Sequence, residues 1–248
     1  MGKLDPEISV VLPIYNEEGN IAPLITEIEK ALEPTSKNFE IICVDDASSD
    51  ASVEKLYSLQ KENPRIVIIR HCLNFGQSAA QASGFRYARG KIIATLDADG
   101  QNNPADFPRL LEYLEEYDCV CGMRKKRMDT GIRRFASRFA NFIRNFLTGD
   151  NVVDSGCNLR VMYKSALVEV PIFNGTHRFI PSLLRAKGKK VLEVSVDHRP
   201  RNWGQSKYGI WDRALRGLVD CIALRWWKGR CFPSDRIVAD VEHVHVHQ

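Results

Sequence analysis

The chain switches between two hydrophobic periods. Ile8–Ile14 is a short apolar run rich in β-branched residues, the pattern of a buried strand. From Asn20 to Leu32 the apolar residues Ile21, Leu24, Ile25, Ile28 and Leu32 recur at helical spacing. The switch then repeats. Strands are predicted over Phe39–Val44, Ile66–Ile69, Ile92–Leu96 and Asp118–Cys121. Helices are predicted over Ser52–Gln60, Gln77–Ala88 with Gly90 as its stop, and Pro104–Leu114, entered through proline. Such alternation predicts an α/β fold with a mostly parallel central sheet flanked by helices, and ligands in a crevice at the carboxyl ends of the strands. After Gly122 the rhythm changes. A polar, basic stretch precedes a long amphipathic helix over Ile132–Leu147, whose Phe135, Phe139, Phe142, Ile143 and Phe146 lie on one side. Strands at Asn158–Met162 and Lys190–Val196 flank a helix at Phe179–Ala186. A loop at His198–Gly209 leads into a final amphipathic helix, Ile210–Trp227.

Composition narrows the class. With 248 residues, 44% hydrophobic and 27% charged, the chain has globular proportions and room for one substantial core. No apolar run approaches the ~18 residues of a spanning helix. Met1–Ile8 has no apolar signal region, so a secretory signal is not expected. The seven cysteines follow no ligand spacing and read as free thiols in a reducing compartment. Cys119 and Cys121 are expected to share one face of a strand. Charge is divided unevenly: residues 1–62 carry a net −8 and residues 124–230 a net +15. The basic half suits nucleic acid, a phosphorylated small molecule or an acidic membrane surface. A solvated basic face is the alternative. No helix-turn-helix, zinc-ligand or RNA-binding aromatic pattern is present, and a nucleic-acid partner is not expected.

Candidate chemistry gathers where strands end. Asp45-Asp46 follows an apolar strand and precedes Ala47-Ser48-Ser49-Asp50. A carboxylate there can accept from ribose hydroxyls or a base N–H; helix capping by Ser48 or Asp50 is the simpler role. Asp97-Ala98-Asp99 repeats the arrangement, with Gln101 two residues on. Two carboxylates and an amide oxygen at this spacing suit a hard divalent ion bridging to diphosphate; turn chemistry is the alternative. The chain has neither G-x-G-x-x-G nor a Walker A segment, which disfavours a dinucleotide oxidoreductase and P-loop phosphoryl transfer. Asn74-Phe-Gly-Gln77 reads as a strand-to-helix turn whose backbone can approach a ligand. His71, His177 and His198 are candidate proton acceptors, although each is also readily structural.

Several motifs occur in a fixed order: Val11-Leu-Pro-Ile-Tyr-Asn-Glu-Glu18, Val44-Asp-Asp-Ala-Ser-Ser-Asp50, Asn74–Gln77, Leu96-Asp-Ala-Asp-Gly-Gln-Asn-Asn-Pro104, Gly122-Met-Arg124, Arg133-Arg-Phe-Ala-Ser137, Asp154-Ser-Gly-Cys-Asn158 and Arg201-Asn-Trp-Gly-Gln-Ser-Lys207. Over about residues 6–228 the chain closely resembles the family 2 inverting glycosyltransferases of GT-A type, specifically the dolichol-phosphate-mannosyltransferase-like polyprenyl-phosphate sugar transferases. The resemblance implies a GT-A nucleotide-diphospho-sugar transferase fold and transfer from a nucleotide sugar, UDP-linked in preference to GDP-mannose, to polyprenyl or undecaprenyl phosphate. Pro13, Tyr15 and Glu17 would line the nucleotide pocket, and Asp45 would accept from the nucleoside. Asp97, Asp99 and Gln101 would surround Mg²⁺ or Mn²⁺. Arg124, Arg133 and Ser137 would address phosphate. Asp154 would lie near the acceptor and donor sugar, and Arg201 and Lys207 would belong to a loop closing over both phosphates. Many relatives carry leucine where this chain has Gly100, and many carry C-terminal spanning helices.

The corresponding organisation is one catalytic domain over 1–230: a nucleotide-binding half 1–122, an acceptor half 123–209 and an amphipathic helix 210–230, followed by a tail 231–248. In the last helix, Trp211, Leu215, Leu218, Ile222, Trp226 and Trp227 form an interfacial side. Arg213, Arg216, Arg225, Lys228 and Arg230 supply cationic anchors. This predicts a cytoplasmic protein held peripherally on the cytoplasmic face of an anionic membrane; packing into a core or a homo-oligomer interface is the other outcome. A family 2 transferase acting on a glycan or lipid hydroxyl, with Asp154 as general base, is the alternative enzyme, and a non-enzymatic membrane-binding protein the alternative to catalysis.

Overall fold

The structure is a computed structural model, and it describes residues 5–124, 145–150, 152–168, 170–200 and 210–230, with the side chains of the last segment described from Gly217 onward. Seven strands form one sheet: β1 (Ile8–Ile14), β2 (Phe39–Asp45), β3 (Ile66–Arg70), β4 (Ile92–Thr95), β5 (Cys119–Arg124), β6 (Arg160–Tyr163) and β7 (Val191–Val196). Their order is β3-β2-β1-β4-β6-β5-β7. All pairings are parallel except those of β6, which runs antiparallel to both β4 and β5. The helices that lie whole among the described residues are α1 (Ile21–Leu32), α2 (Ser52–Glu62), α3 (Gln77–Tyr87), α4 (Phe107–Glu112), α5 (Ile180–Ala186) and α6 (Ile210–Lys228), and residues 145–148 are helical as well.

Successive strand residues face opposite sides, and both sides are apolar. Val10, Leu12, Ile41 and Cys43 enter one core with α1, α2 and α4, while Val11, Ile42 and Val44 enter another with α3, α5 and α6. Covered on both faces, β1 and β2 read as continuous apolar runs rather than alternating ones. Cys119 and Cys121 share the second core with their sulfurs 3.6 Å apart, as strand alternation requires. Burial pushes the Cys43 thiol up to about 12 and the Cys157 thiol up to about 11, so both behave as apolar fillers.

Four sequence expectations need correction. Gly90 is not the stop of α3, which ends at Tyr87 with Ala88 extended behind it. Gly90 is required because a Cβ there would lie 2.7 Å from the Ser9 amide nitrogen. β5 runs on to Arg124 because Met123 and Arg124 pair with Ser195 and Val196 of β7. The helix expected over Pro104–Leu114 is divided: a 3₁₀ turn at Pro104–Asp106, capped by Asn103 Oδ1 accepting from the Ala105 amide, then α4 and a second 3₁₀ turn. Trp227, expected on the interfacial side of the last helix, packs partly buried against the second core beside the buried Cys221 and Leu224. The same helix leaves Leu218, Val219, Ile222 and Trp226 exposed. No helix among the described residues is long and apolar enough to cross a membrane.

Candidate active site

The carboxyl ends of β1, β2, β4 and β5 meet at one edge of the sheet. Because β6 runs the other way, its amino end arrives at the same edge. A cavity of ≈ 600 Å³ opens there. Its wall includes Pro13, Tyr15, Glu17, Asp97, Asp99, Gln101 and Arg124, seven of the residues singled out in the sequence. Asp45 and Asp154 stand just behind that wall. Arg133, Ser137, Arg201 and Lys207 lie outside the described residues, as does the helical phenylalanine face as far as Phe142.

Interlocked loops hold the first part of the wall. The Asn16 amide donates to Ser48 Oγ at 2.9 Å, and Asn16 Oδ1 accepts from the Ser49 amide at 2.7 Å. The Glu17 amide donates to Ser52 Oγ at 3.0 Å, and the Glu18 amide to Asp50 Oδ2 at 3.2 Å. Asn16 and Ala47 both adopt positive φ, 54° and 61°, a conformation disfavoured for non-glycine residues and concentrated at functional edges. Ser48 and Asp50 thus tie two loops together, although Asp50 Oδ1 also accepts from the Ser52 amide at the head of α2. Burial pushes the Asp50 carboxyl up, but its hydrogen bonds from Ser52 and Glu18 outweigh that and hold it below the usual range.

The acids at Asp45-Asp46 divide their work. Asp46 accepts from the Phe75 and Gly76 amides at 2.9 and 2.7 Å, and from His71 Nδ1 at 2.7 Å, so it fixes the turn before α3. Gly76 turns at φ +87° and joins the cavity wall, where the sequence placed a close backbone approach. Asp45 is fully buried. Its Oδ2 accepts from the Ser48 amide at 3.2 Å, and its Oδ1 has no hydrogen-bond partner. An orphaned buried carboxylate oxygen beside a polar cavity fits a ligand hydroxyl or N–H donor.

Asp97 and Asp99 follow β4 directly into the cavity wall. Asp97 Oδ1 accepts from Gln77 Nε2 at 2.5 Å and from Asn158 Nδ2 at 3.0 Å. Burial, and then the neighbouring Asp99 charge, push the Asp97 carboxyl up to about 6, against the opposing pull of Asn158, Arg160 and Gln77. Two close carboxylates, Asp99 buried and Asp97 half-buried, with an amide oxygen nearby are a donor set suited to a hard divalent cation, whose charge would offset that repulsion. Gly100 supplies φ +73° directly after the pair, a left-handed turn that a leucine would strain.

At the opposite rim, Arg124 is gripped in a fork: Nε donates to Asp154 Oδ2 and Nη2 to Asp154 Oδ1, both at 2.7 Å. Burial lowers the Arg124 pKa, but the bonded Asp154 carboxylate more than compensates and keeps the guanidinium charged. Gly156 leaves room for the fork, since a Cβ there would lie 2.7 Å from Arg124 Nη2. Sequence reasoning assigned no role to Gln77, Asn158 or Arg178, all in the wall. Gln77 and Asn158 lay inside quoted motifs and carried that signal; Arg178 carried none.

Residues 9–170 match the glycosyl transferase family 2 profile. The chain belongs to glycosyl transferase family 2. It is 36% identical over 220 residues to an undecaprenyl-phosphate 4-deoxy-4-formamido-L-arabinose transferase of Edwardsiella ictaluri, covering 87% of this chain and 67% of that protein. It is 36% identical over 227 residues to a dodecaprenyl-phosphate galacturonate synthase of Rhizobium johnstonii, covering 89% of this chain and 67% of that protein. Among solved structures, a mannosyltransferase from Pyrobaculum calidifontis in complex with GDP-Man and Mn²⁺ superposes with a TM-score of 0.65 at 18% identity, over 89% of this chain and 64% of that one. The fold is the GT-A transferase fold, and this family 2 member is a glycosyltransferase.

Proposed function

We propose that the enzyme transfers a sugar, with inversion, from a nucleotide sugar to a polyprenyl phosphate at an anionic membrane surface. One observation carries the reading: Asp97, Asp99 and Gln101 share a single cavity with Pro13, Tyr15 and Glu17 on one side and a carboxylate-held arginine, Arg124, on the other. Pro13, Tyr15 and Glu17, with the orphaned oxygen of Asp45, take the nucleoside. Asp97, Asp99 and Gln101 hold Mg²⁺ or Mn²⁺, which when bound stabilises negative charge on the departing diphosphate. Gln77 and Asn158 keep Asp97 aimed. UDP is the proposed donor nucleotide, in line with the family resemblance, and GDP-mannose is the competitor to test.

The names of the two relatives support the lipid-phosphate acceptor. A phosphate monoester has its second pKa near 6 and is largely ionised at neutral pH, so it attacks with little help from a base. It needs cationic positioning instead, which Arg124 offers within the cavity and which we assign also to Arg133, Arg201 and Lys207, with the Ser137 hydroxyl as a neutral donor to the phosphate. Asp154 is the base a hydroxyl acceptor would need, yet both its oxygens are held by Arg124. That geometry favours the phosphate acceptor and makes Asp154 a positioning residue. In this reading residues 1–122 form the donor half and 123–209 the acceptor half of one catalytic domain spanning 1–230.

Membrane attachment is assigned to α6. Leu218, Ile222 and Trp226 are exposed beside Arg225 and Arg230, the latter stacked over the Trp226 ring at 5.2 Å. Arg225 also donates to the carbonyls of Phe146 and Leu147, which ties the helix to a second exposed aromatic, Phe146. This pairing of apolar and cationic groups suits the cytoplasmic face of an anionic bilayer.

The test incubates the protein with labelled undecaprenyl phosphate and a panel of UDP- and GDP-sugars, with Mg²⁺, Mn²⁺ or EDTA. A lipid-linked sugar phosphodiester formed only with metal is expected. A glycoside formed when a glycan or lipid hydroxyl is supplied in place of the lipid phosphate would establish the hydroxyl acceptor, and no product with any donor and either acceptor would overturn the assignment. Flotation on phosphatidylglycerol liposomes, reduced by Ile222→Ser with Trp226→Ser, checks the attachment; binding unchanged in that variant removes α6 from the account.

A further inference from the structure

The fork between Arg124 and Asp154 is itself held, and the edge strand β7 reaches both of its partners. The backbone of β7 fixes Arg124: Met123 and Arg124 pair with Ser195 and Val196, so the ladder sets the root of the guanidinium side chain. The Glu193 side chain, on the same strand, fixes Asp154. Glu193 Oε1 accepts from the Val153 amide at 3.0 Å and from the Asp154 amide at 3.2 Å, and Oε2 accepts from the Val153 amide at 3.1 Å. Asp154 then closes the ring onto β5, because its Oδ2 accepts from the Arg124 amide at 3.2 Å as well as from Nε. Strand β7, the segment before β6 and the end of β5 thus surround one ion pair.

The surroundings of Glu193 commit it to this task. Its side chain is 9% exposed, and a carboxylate so far removed from water requires donors. Besides the amides it has Arg185 of α5, whose Nη2 lies 3.5 Å from Oε2. Arg185 Nη1 donates to Asp150 Oδ1 at 2.9 Å, four residues before Asp154. Burial lowers the Arg185 pKa, but the bonded Asp150 carboxylate and then the Glu193 charge more than compensate, so this clamp is ionic. The segment carrying Asp154 is therefore gripped from behind by one group of charges while its carboxylate serves another. Arg124 spends Nε and Nη2 on the fork, and its Nη1 makes no hydrogen bond among the described residues. A planar guanidinium delivers its remaining N–H groups in a direction set by the pair it has already made. We propose that Glu193 is a positioning residue of the acceptor side: by holding the Val153 and Asp154 amides it sets the Asp154 carboxylate where it grips Arg124, and through that fork it aims the guanidinium at the acceptor phosphate. The inference rests on the transferase reading, in which Arg124 takes that phosphate.

Two measurements on the whole chain test it. The first needs no substrate. In proton–nitrogen NMR of isotope-labelled arginine, the Arg124 Nε–H signal is identified by its loss in Arg124→Gln. It is expected to be protected from solvent exchange in the wild type and to lose protection in Asp154→Asn and in Glu193→Ala. Glu193→Gln, which keeps one acceptor oxygen and guards against loss of fold, should fall between. The second is calorimetric titration. Glu193→Ala should weaken farnesyl phosphate about tenfold and Glu193→Gln about threefold, while UDP with Mn²⁺ stays within about twofold of wild type. Glu193→Ala combined with Arg124→Gln should bind farnesyl phosphate no more weakly than Arg124→Gln by itself. The proposal is overturned if Arg124 keeps its protection in Glu193→Ala, if UDP and farnesyl phosphate weaken equally in both Glu193 variants, or if the double variant shows additive losses. If the wild type binds UDP with Mn²⁺ but not farnesyl phosphate, while Arg124 protection still depends on Glu193, the positioning of the fork holds and the lipid-phosphate reading falls.

Discussion

The two halves of the sheet reach the same cavity by different routes. In the first half every strand is parallel and each contributes at its carboxyl end, so Tyr15, Asp46 and Asp97 arrive by one repeated rule. In the second half, β6 enters antiparallel between β4 and β5, and the wall is assembled from a strand end at Arg124, a residue before a strand at Asn158 and a 3₁₀ turn at His177. The first half concentrates carboxylates and the second cations. The boundary between them is bridged by side chains such as Asn158, which reaches back to Asp97. A regular architecture thus places one charge, and an irregular one, held by side-chain hydrogen bonds, places the other.

Substitutions can break that contrast at graded strength. Asp99→Ala should have the largest effect, lowering metal-supported transfer by about 10²–10³-fold in steady-state kinetics, the size expected when a group stabilising transition-state charge is lost. Turnover near wild type would remove the metal role from Asp99. Asp154→Asn leaves the donor half intact but weakens the Arg124 fork. We expect a fall in kcat/KM of about 10–100-fold, the scale of a broken charge-assisted pair, shared by Arg124→Gln without further loss in the double variant. Additive losses would mean that the two residues act separately. Asn158→Leu severs the bridge between the halves. Mn²⁺ affinity with UDP, read by titration calorimetry, should weaken about 3–10-fold while farnesyl phosphate binding stays close to wild type. The smallest effect on chemistry belongs to Gly84→Ala, whose new Cβ would collide with the Val11 side chain. Overpacking of this kind costs about 1–3 kcal/mol in urea unfolding, with transfer per folded molecule unchanged.

The same contrast explains what the sequence made legible. Parallel βα units write themselves as apolar runs ending in acids, so β1 is read with the bounds it has and β2 to within one residue, and Asp97 and Asp99 are placed together. The later half lacks that punctuation. Gly122-Met-Arg124 does not alternate, so the extension of β5 depends on β7, nearly seventy residues away, and no local pattern records it. The antiparallel sense of β6 is likewise a property of its neighbours. Arg178 stood as one cation among the many in a basic half and became distinct only when Ser78 and Arg160 fixed the turn that carries it. The fork on Asp154 is similar: no local pattern in the sequence records that Arg124 holds this acid, thirty residues on.

The late insertion of β6 has a consequence for biosynthesis. Strands β1 to β4 are complete by Thr95, yet β4 and β5 share no ladder of their own, and the slot between them is filled by a segment ending at Tyr163. A nascent chain emerging from the ribosome therefore cannot join its acidic and basic sides until that segment has cleared the exit tunnel.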